Sequence, residues 1–392
     1  MMEAAGYRLQ GWERLQRGSL LVGVIALTLC VLGAFSSRAQ FFYSYLMAFS
    51  FWLGIALGSL GIFMLHNLTG GAWGVVIRRL LESGMRTLPL MAVFFLPLLF
   101  GLEHLYEWAR PEAVANDPVL QHKSAYLNVP FFLLRSALYF ALWIGAAYFL
   151  TQWSRDHDRT ANPRLIERLR ILSGPGLALY VLTITFASID WVMSLEPHWF
   201  STIYGVHFLG SHVLSAFALM IFLAGWLARG EALSTLFHAS HFHDLGNLLL
   251  GFVMLWAYFA FSQYLIIWSG NLPEEITWYL RRTRGGWEWI ALALIVFHFF
   301  LPFFLLLMRG IKRRVPALCA LAAAIVVMRF LDVFWYTLPA FHPGALHIHW
   351  LDIAAPIGLG GVWLAVFIWQ LRPVSLIPLN HPSTKEILEG GH

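Results

Sequence analysis

Residues 41–65 read FFYSYLMAFSFWLGIALGSLGIFML, a run without a single charged side chain. About 20 apolar residues in a helix suffice to cross the roughly 30 Å hydrocarbon core of a bilayer. Runs of this kind recur at residues 18–36, 86–106, 130–152, 175–195, 206–228, 246–269, 287–308, 315–336 and 351–371. We therefore predict an all-α integral membrane protein with ten transmembrane helices, called spans 1 to 10 in chain order.

The composition excludes an ordinary soluble protein. Hydrophobic residues make up 59% of the 392 residues and charged residues only 12%, whereas soluble domains are about 25% charged. The net charge of +5 gives no reason to expect nucleic acid as a partner. Membrane lipids are the expected surroundings.

The distribution of basic residues predicts the orientation. Most arginines and lysines lie in the N-terminal segment, in the loops that follow even-numbered spans and in the C-terminal tail. Under the positive-inside rule these segments are cytoplasmic. We predict one transmembrane domain over residues 1–392, with a short cytoplasmic N-terminus at 1–17 and a cytoplasmic tail at 372–392.

Six polar residues interrupt the apolar runs, and the topology places all of them toward the outer face. A charged side chain at the centre of a spanning helix costs roughly 2.5–3.5 kcal/mol on insertion scales, so such residues usually face a partner, a cavity or a pathway. Their clustering in one leaflet indicates a site. The six are Glu103, Arg135, Asp190, Gln263, Arg329 and Asp332.

Proton-transfer chemistry needs a histidine or carboxylate as proton acceptor. Asp190, Glu103, His104 and His212 are the candidates, and Asp190 is the strongest because apolar residues surround it in the sequence. We expect Asp190 to have a partner or to be neutralised. We also expect it to titrate as part of a proton path.

Five further residues are candidates for binding a cofactor, but each also has a structural interpretation. Arg329 and Asp332 lie three apart on one helix face and can neutralise each other. Arg135 lies near a helix start and can extend its guanidinium to the headgroups. Gln263 and His298, like His212, can be interhelical hydrogen-bond donors.

A weak internal repeat predicts how the spans are grouped. Asp190 is followed by Pro197, and Asp332 is followed at the same spacing by Pro339. We predict that spans 2–5 and 6–9 form two related four-helix bundles, with spans 1 and 10 peripheral. Binding sites of membrane proteins often lie between such repeats.

Three small residues recur at four-residue spacing in span 2: Ser50, Gly54 and Gly58. A stripe of this kind lets another helix approach closely. We interpret it as a packing surface.

The chain carries no recognised motif for a bound metal centre. Its two cysteines, Cys30 and Cys319, lie in different spans and form neither a haem c motif nor an iron–sulfur pattern. The histidines of HASHFHD (238–244) are interpreted as solvated. We therefore expect no metal, haem or iron–sulfur cluster in this chain.

Two stretches carry a family resemblance: LFGLEHLYEW at 99–108 and TFASIDWVMSLEPHWFSTIYG at 185–205. With the ten-span pattern, they resemble the NrfD/polysulfide-reductase membrane subunits, in particular the shorter of the two such subunits of bacterial alternative complex III. The resemblance implies a quinol:cytochrome c oxidoreductase in the bacterial cytoplasmic membrane that oxidises menaquinol. The implied partners are the longer paralogous subunit and the iron–sulfur and haem c subunits.

Three functional classes remain open on the sequence. The first is the quinone-linked subunit, with a role in quinol oxidation, proton translocation or support of the complex, in a respiratory or photosynthetic chain. The second is a haem b anchor with histidine ligands. The third is a stand-alone proton or solute transporter, against which stands the scarcity of acidic residues in the expected inner half of the spans.

Overall fold

The computed structural model describes residues 11–228, 239–378 and 380. All regular secondary structure in this part of the chain is helical, and nine of its helices are long and apolar enough to cross a membrane. The protein is a multi-pass membrane protein of the all-α class, as predicted. The helices that correspond to spans 1 to 10 are α1 (Glu13–Ser36), α2 (Arg38–Thr69), α3 (Leu88–Leu99), α4 (Val129–Thr160), α5 (Pro163–Trp191), α6 (Tyr204–Leu227), α7 (Ala239–Gly270), α8 (Trp287–Leu307), α9 (Val315–Thr337) and α10 (Leu351–Leu371).

Shorter helices connect them. The α-helical connections are Ala72–Met85, Leu102–Leu105, Pro111–Asn116, Pro118–Lys123, Pro273–Arg282 and Arg309–Arg313. Single 3₁₀ turns occupy Glu107–Ala109, Met193–Leu195 and Leu338–Ala340.

Span 3 differs from the prediction of one continuous helix over 86–106. The helix breaks at Arg86 and Thr87, and α3 ends soon after Pro97, a residue that cannot donate a helical hydrogen bond. The preceding helix Ala72–Met85, which the sequence assigned to a loop, is almost entirely buried. Together these pieces still make a crossing, because Gly74 lies against the end of α2 at His66 and Gly101 lies against its start at Phe42.

The helices run antiparallel between two ends of the molecule. We call the end where α1 begins and α2 ends the lower end, and the opposite end the upper end. At the lower end Arg372 after α10 hydrogen-bonds Gln16 of α1 at 2.9 Å. At the upper end Gly33 of α1 packs against Trp350, directly before α10.

The helix contacts agree with two four-helix bundles. In the first bundle α2 packs against α3 and α5, and α4 packs against α3 and α5. In the second, α6 packs against α7 and α9, and α8 contacts both α7 and α9. Helices α1 and α10 pack against each other and against α2, outside both bundles.

The bundles meet where α2 crosses α6, and the small residues of α2 form this crossing. A Cβ atom added to Gly58 would lie 2.1 Å from the carbonyl oxygen of His212, and one added to Gly54 would lie 2.7 Å from the His212 ring. Only hydrogen fits at these positions. The prediction of a packing stripe on span 2 is confirmed.

A tight turn sets the neighbour relationship of α4 and α5. Ala161 has the left-handed backbone conformation (φ 51°), and the Asn162 side chain accepts a hydrogen bond from the Arg164 amide at 3.1 Å. Because Arg135 and Asp190 lie at similar distances along the chain from this turn, the two antiparallel helices bring them to the same level.

Large apolar side chains cover the outward helix faces. Phe35, Leu134, Ile171 and Phe261 are more than half exposed, which a water-soluble surface would not favour. These faces contact membrane lipids.

Candidate functional site

Asp190 sits at the centre of a buried polar group near the upper end of the first bundle. Its two carboxylate oxygens accept hydrogen bonds from Nε and Nη2 of Arg135 at 2.9 and 2.8 Å, and Oδ2 also accepts one from the Tyr139 hydroxyl at 2.8 Å. Asp190 is 0% exposed and Arg135 is 7% exposed. Asp190 therefore has the partner that the sequence required, and Arg135 does not extend to the headgroups.

Tyr126 completes this group, which we call the first-bundle site: Tyr126, Arg135, Tyr139 and Asp190. The Arg135 guanidinium lies 3.8 Å from the centre of the Tyr126 ring and donates to the Tyr126 carbonyl oxygen at 2.9 Å. The Tyr126 hydroxyl lies near Asp190 and Tyr139. It is buried and, among the described residues, has no hydrogen-bond partner of ordinary geometry.

A cavity of about 290 Å³ adjoins the first-bundle site at the upper end. This volume is close to the lower limit of small-molecule pockets, about 300–1,000 Å³. Its walls are mainly apolar and aromatic, and four polar side chains contribute to them. The lining includes His122, Lys123, Tyr126, Ser194, Trp199 and Phe200.

Lys123 faces this cavity with its charge partly satisfied. Its ammonium group donates to the carbonyl oxygen of Pro197 at 2.6 Å. Partial burial lowers the pKa of Lys123. Ser194, on the same wall, donates to the backbone carbonyl oxygen of Asp190 at 2.6 Å. The cavity wall therefore contacts the first-bundle site through this hydrogen bond as well as through Tyr126.

The second bundle contains a related ion pair at the corresponding place. Arg329 and Asp332 of α9 pair with each other, and the Trp256 indole of α7 donates to Asp332 Oδ2 at 3.1 Å. Both charged residues are fully buried. The sequence interpretation that they neutralise each other agrees with this geometry.

Two buried histidines adjoin this pair. The His207 Nε2 and the Tyr336 hydroxyl are 3.2 Å apart, and the His298 ring meets the Trp256 ring edge to face at 4.3 Å. We call His207, Trp256, His298, Arg329, Asp332 and Tyr336 the second-bundle site. Sequence reasoning found His298 but missed His207, although both interrupt long apolar runs.

His298 lies within an irregular stretch of α8. Residues Leu294–Phe300 form a π-helical segment, and such segments occur frequently at functional sites. Neither ring nitrogen of His298 has a hydrogen-bond partner among the described residues. The same is true of His212, whose ring packs against Phe208 at 4.2 Å, so neither histidine makes the interhelical hydrogen bond considered from the sequence.

A small cavity separates the second-bundle site from the first bundle. It measures about 10 Å³ and is lined by Ser50, Ser211, Arg329 and Tyr336, among others. This is room for roughly one water molecule, and much less than a haem requires. A water there would contact the buried Ser211 hydroxyl, which has no partner in the described part of the chain.

The remaining candidates lie apart from both sites. Gln263, near the upper end of α7, lies near Tyr279 in the connecting helix Pro273–Arg282. Glu103 and His104 are exposed at the upper end, where the His104 ring stacks on Phe42 at 5.6 Å. The structure does not bring them to Asp190.

A buried charge cluster at the lower end was not anticipated. Arg79 pairs with both Glu82 and Asp158, and Ser154 donates to Glu82 at 2.6 Å. Arg78 lies 3.5 Å from Glu82. The expectation that the spans are poor in acidic residues at this end is therefore wrong. The largely apolar stretch AWGVVIRRLLESGM (72–85) was the available signal.

Known proteins give no further identification. No protein-family model matches the chain, and no curated protein matches it significantly. In the described residues no group of three or more histidine, cysteine, aspartate or glutamate side chains has the arrangement of a metal site, and His238 lies outside them.

Proposed function

We propose that this chain is an integral membrane subunit of a quinol:cytochrome c oxidoreductase of the alternative complex III type. In that role it supports the oxidation of menaquinol, the movement of the protons released, or both. The proposal includes the longer paralogous subunit, the iron–sulfur subunit and the haem c subunits as partners. It places the upper end at the periplasmic face of the bacterial cytoplasmic membrane, with both termini cytoplasmic.

The observation that carries the proposal is that Tyr126, whose hydroxyl lies near Asp190 and Tyr139, also lines the 290 Å³ cavity. The few polar side chains in its wall, among them His122 and Lys123, favour a ligand with a hydrogen-bonding function. Aromatic and aliphatic walls suit a flat apolar ring. Together they suit a quinol headgroup.

The chain's own residues have separable tasks in this proposal. Tyr126 would orient a quinol hydroxyl, and Trp199 and Phe200 would hold the ring by apolar contact. Quinol supplies two electrons and two protons on oxidation, so a proton acceptor must lie within reach. His122 offers an exposed imidazole at the cavity wall, from which a proton can pass to water.

Asp190 takes a different role from the one expected on the sequence. Because Arg135 and Tyr139 together occupy its oxygens, Asp190 is best suited to hold Arg135, and through it Tyr126, in position. We propose Asp190 as a positioning residue for the cavity.

The test replaces Tyr126 by phenylalanine in the assembled complex. Phenylalanine keeps the ring that lies against the Arg135 guanidinium, so the fold should be retained, while quinol:cytochrome c activity should fall roughly tenfold if one hydrogen bond to substrate is lost. Tyr180→Phe is the matched control, because the Tyr180 hydroxyl is also buried but Tyr180 does not line the cavity. Equal activity of Y126F and Y180F would remove the cavity from the proposal.

Membership of the complex has its own test. The chain, purified from its native membrane through an affinity tag, should bring with it subunits that carry haem c and iron–sulfur clusters. Purification of the chain alone, under conditions that preserve other membrane complexes, would contradict the proposal.

A further inference from the structure

A second cavity, of about 370 Å³, lies at the lower end of the first bundle. It is enclosed by the end of α2, the helix Ala72–Met85, the end of α4 and the start of α5. Its polar lining comes from His66, Asn67, Arg78, Ser154, His157 and Arg170. We propose that this cavity binds a phosphate-bearing anion, and that its place at the end of the bundle favours an anionic lipid headgroup.

Arg78 provides the main binding group. It is 3% exposed and lines the cavity, yet most of its own contacts are long. It donates to Asn67 at 3.0 Å, but its distances to Ser154, His66 and Glu82 are 3.4–3.5 Å. A guanidinium with long contacts retains donors that a phosphate oxygen satisfies better, because charge-assisted hydrogen bonds prefer about 2.7–2.9 Å.

The local charge balance favours an anion. The buried Glu82 and the partly buried Asp158 are both engaged by Arg79. Asp158 also lines the cavity, and its pairing with Arg79 reduces its repulsion of an anion. Arg78 and Arg79 together balance these two carboxylates, so the charge of the exposed Arg170 remains in excess at the cavity.

The surroundings favour a lipid as the carrier of the phosphate. The cavity lies at the level of the helix ends, where lipid headgroups lie, and Arg170 stands at the exposed start of α5. Farther along α5, Ile171 is 65% exposed and Leu179 is 48% exposed. Ile171, the neighbour of Arg170 in the sequence, offers an exposed apolar side chain for contact with an acyl chain.

The experiment measures binding to the full-length protein, purified in detergent and depleted of lipid. Phosphatidylglycerol, phosphatidylcholine with the same acyl chains, and inorganic phosphate are titrated separately, with thermal unfolding and native mass spectrometry as readouts. Phosphatidylglycerol should raise the unfolding temperature and remain bound as a discrete adduct. Phosphatidylcholine should do so much less.

Two arginine variants locate the site. Arg170→Gln should weaken phosphatidylglycerol binding about fivefold, from the contribution of one basic residue near a headgroup. Arg168→Gln is the matched control. Arg168 is also exposed and lies two residues before Arg170 in α5, but it does not line the cavity. Both side chains are exposed, so neither variant should impair folding.

The outcomes separate the alternatives. Stabilisation by inorganic phosphate as well, lost in R170Q, supports the phosphate site with a free anion as occupant. Equal stabilisation by phosphatidylglycerol and phosphatidylcholine overturns the proposal, as does an equal loss in R168Q and R170Q. Quinol oxidation is not involved in these readouts, so the proposed function and this site fail independently.

Discussion

Arg135 of α4 and Asp190 of α5 form a two-pronged ion pair, with nitrogen–oxygen distances of 2.9 and 2.8 Å. The parallel hydrogen bonds fix the guanidinium plane relative to the carboxylate. Tyr139 adds a third hydrogen bond from the same helix as Arg135. The upper halves of α4 and α5 are therefore tied together by polar contacts inside an otherwise apolar bundle.

The first prediction follows from this pair. Asp190→Asn leaves the buried Arg135 without its counter-charge, so the free energy of unfolding should fall by about 3–5 kcal/mol. Titration with sodium dodecyl sulfate of the purified protein measures this change. The double variant Arg135→Gln/Asp190→Asn removes both charges and should recover part of the loss. An Asp190→Asn protein as stable as the wild type would show that the pair contributes nothing.

The crossing of α2 and α6 gives a second prediction. Gly58→Ala places a methyl group 2.1 Å from the His212 carbonyl oxygen, so the helices must separate and stability should drop by about 1–3 kcal/mol. Gly145→Ala, in α4, is the control, because nothing lies within 4 Å of its added Cβ. Thermal unfolding of both variants in detergent measures the difference in stability. Similar curves for the two variants would mean that the crossing is loose.

Orientation in the membrane is the third prediction. Thr202 is exposed in the upper-end connection before α6, and Arg159 is exposed at the lower end of α4. A membrane-impermeant maleimide applied from the periplasmic side should label Thr202→Cys and leave Arg159→Cys unlabelled. The native Cys30 and Cys319 are buried and should add little background. The opposite labelling pattern would invert the assignment of both ends.

The fourth prediction concerns pH. His342, in the upper-end loop before α10, has its pKa lowered by burial and further by His347 and His349, while Asp352 opposes the shift. The unfolded chain thus binds this proton more readily than the folded protein does. The resulting stability is complete above the ordinary value of 6.5 and is lost as the pH falls through it toward the folded pKa.

The His342→Gln variant tests this linkage. Glutamine can still donate to Gln40, the present partner of His342 Nε2 at 3.1 Å, but it cannot titrate. Its unfolding temperature should fall less between about pH 7 and about pH 5 than that of the wild type. A steeper slope in H342Q would contradict the assigned direction.

The contrast between the two ion pairs explains what the sequence could reveal. Arg329 and Asp332 are three residues apart, so helical periodicity alone places them in contact. Arg135 and Asp190 come from different helices, and no local pattern shows that they meet. The sequence therefore predicted that Arg329 and Asp332 neutralise each other. For Arg135 it favoured a position at the lipid headgroups.

The assignment of residues 72–85 to a loop was wrong for a related reason. Hydropathy assigns charged residues to loops because a bilayer rejects isolated charges. In the folded protein Arg79 and Glu82 are paired with each other. Hydropathy treats each of them as an isolated charge and therefore overestimates the free energy of placing them in a buried helix. The break between Ala72–Met85 and α3 likewise depends on tertiary contacts that an apolar run does not encode.

The π-helical segment Leu294–Phe300 of α8 has a mechanical consequence. An α-helix turns about 100° per residue, and a π turn holds one residue more, so the segment rotates the lower half of the helix relative to the upper half. Trp287 above it and Leu306 below it are both fully buried, although most of α8 faces lipid. This rotation places the buried side chains of both halves of α8 on the side that faces the bundle. Deletion of one residue within the segment would remove the wide turn and leave Trp287 and Leu306 on the same side of the helix.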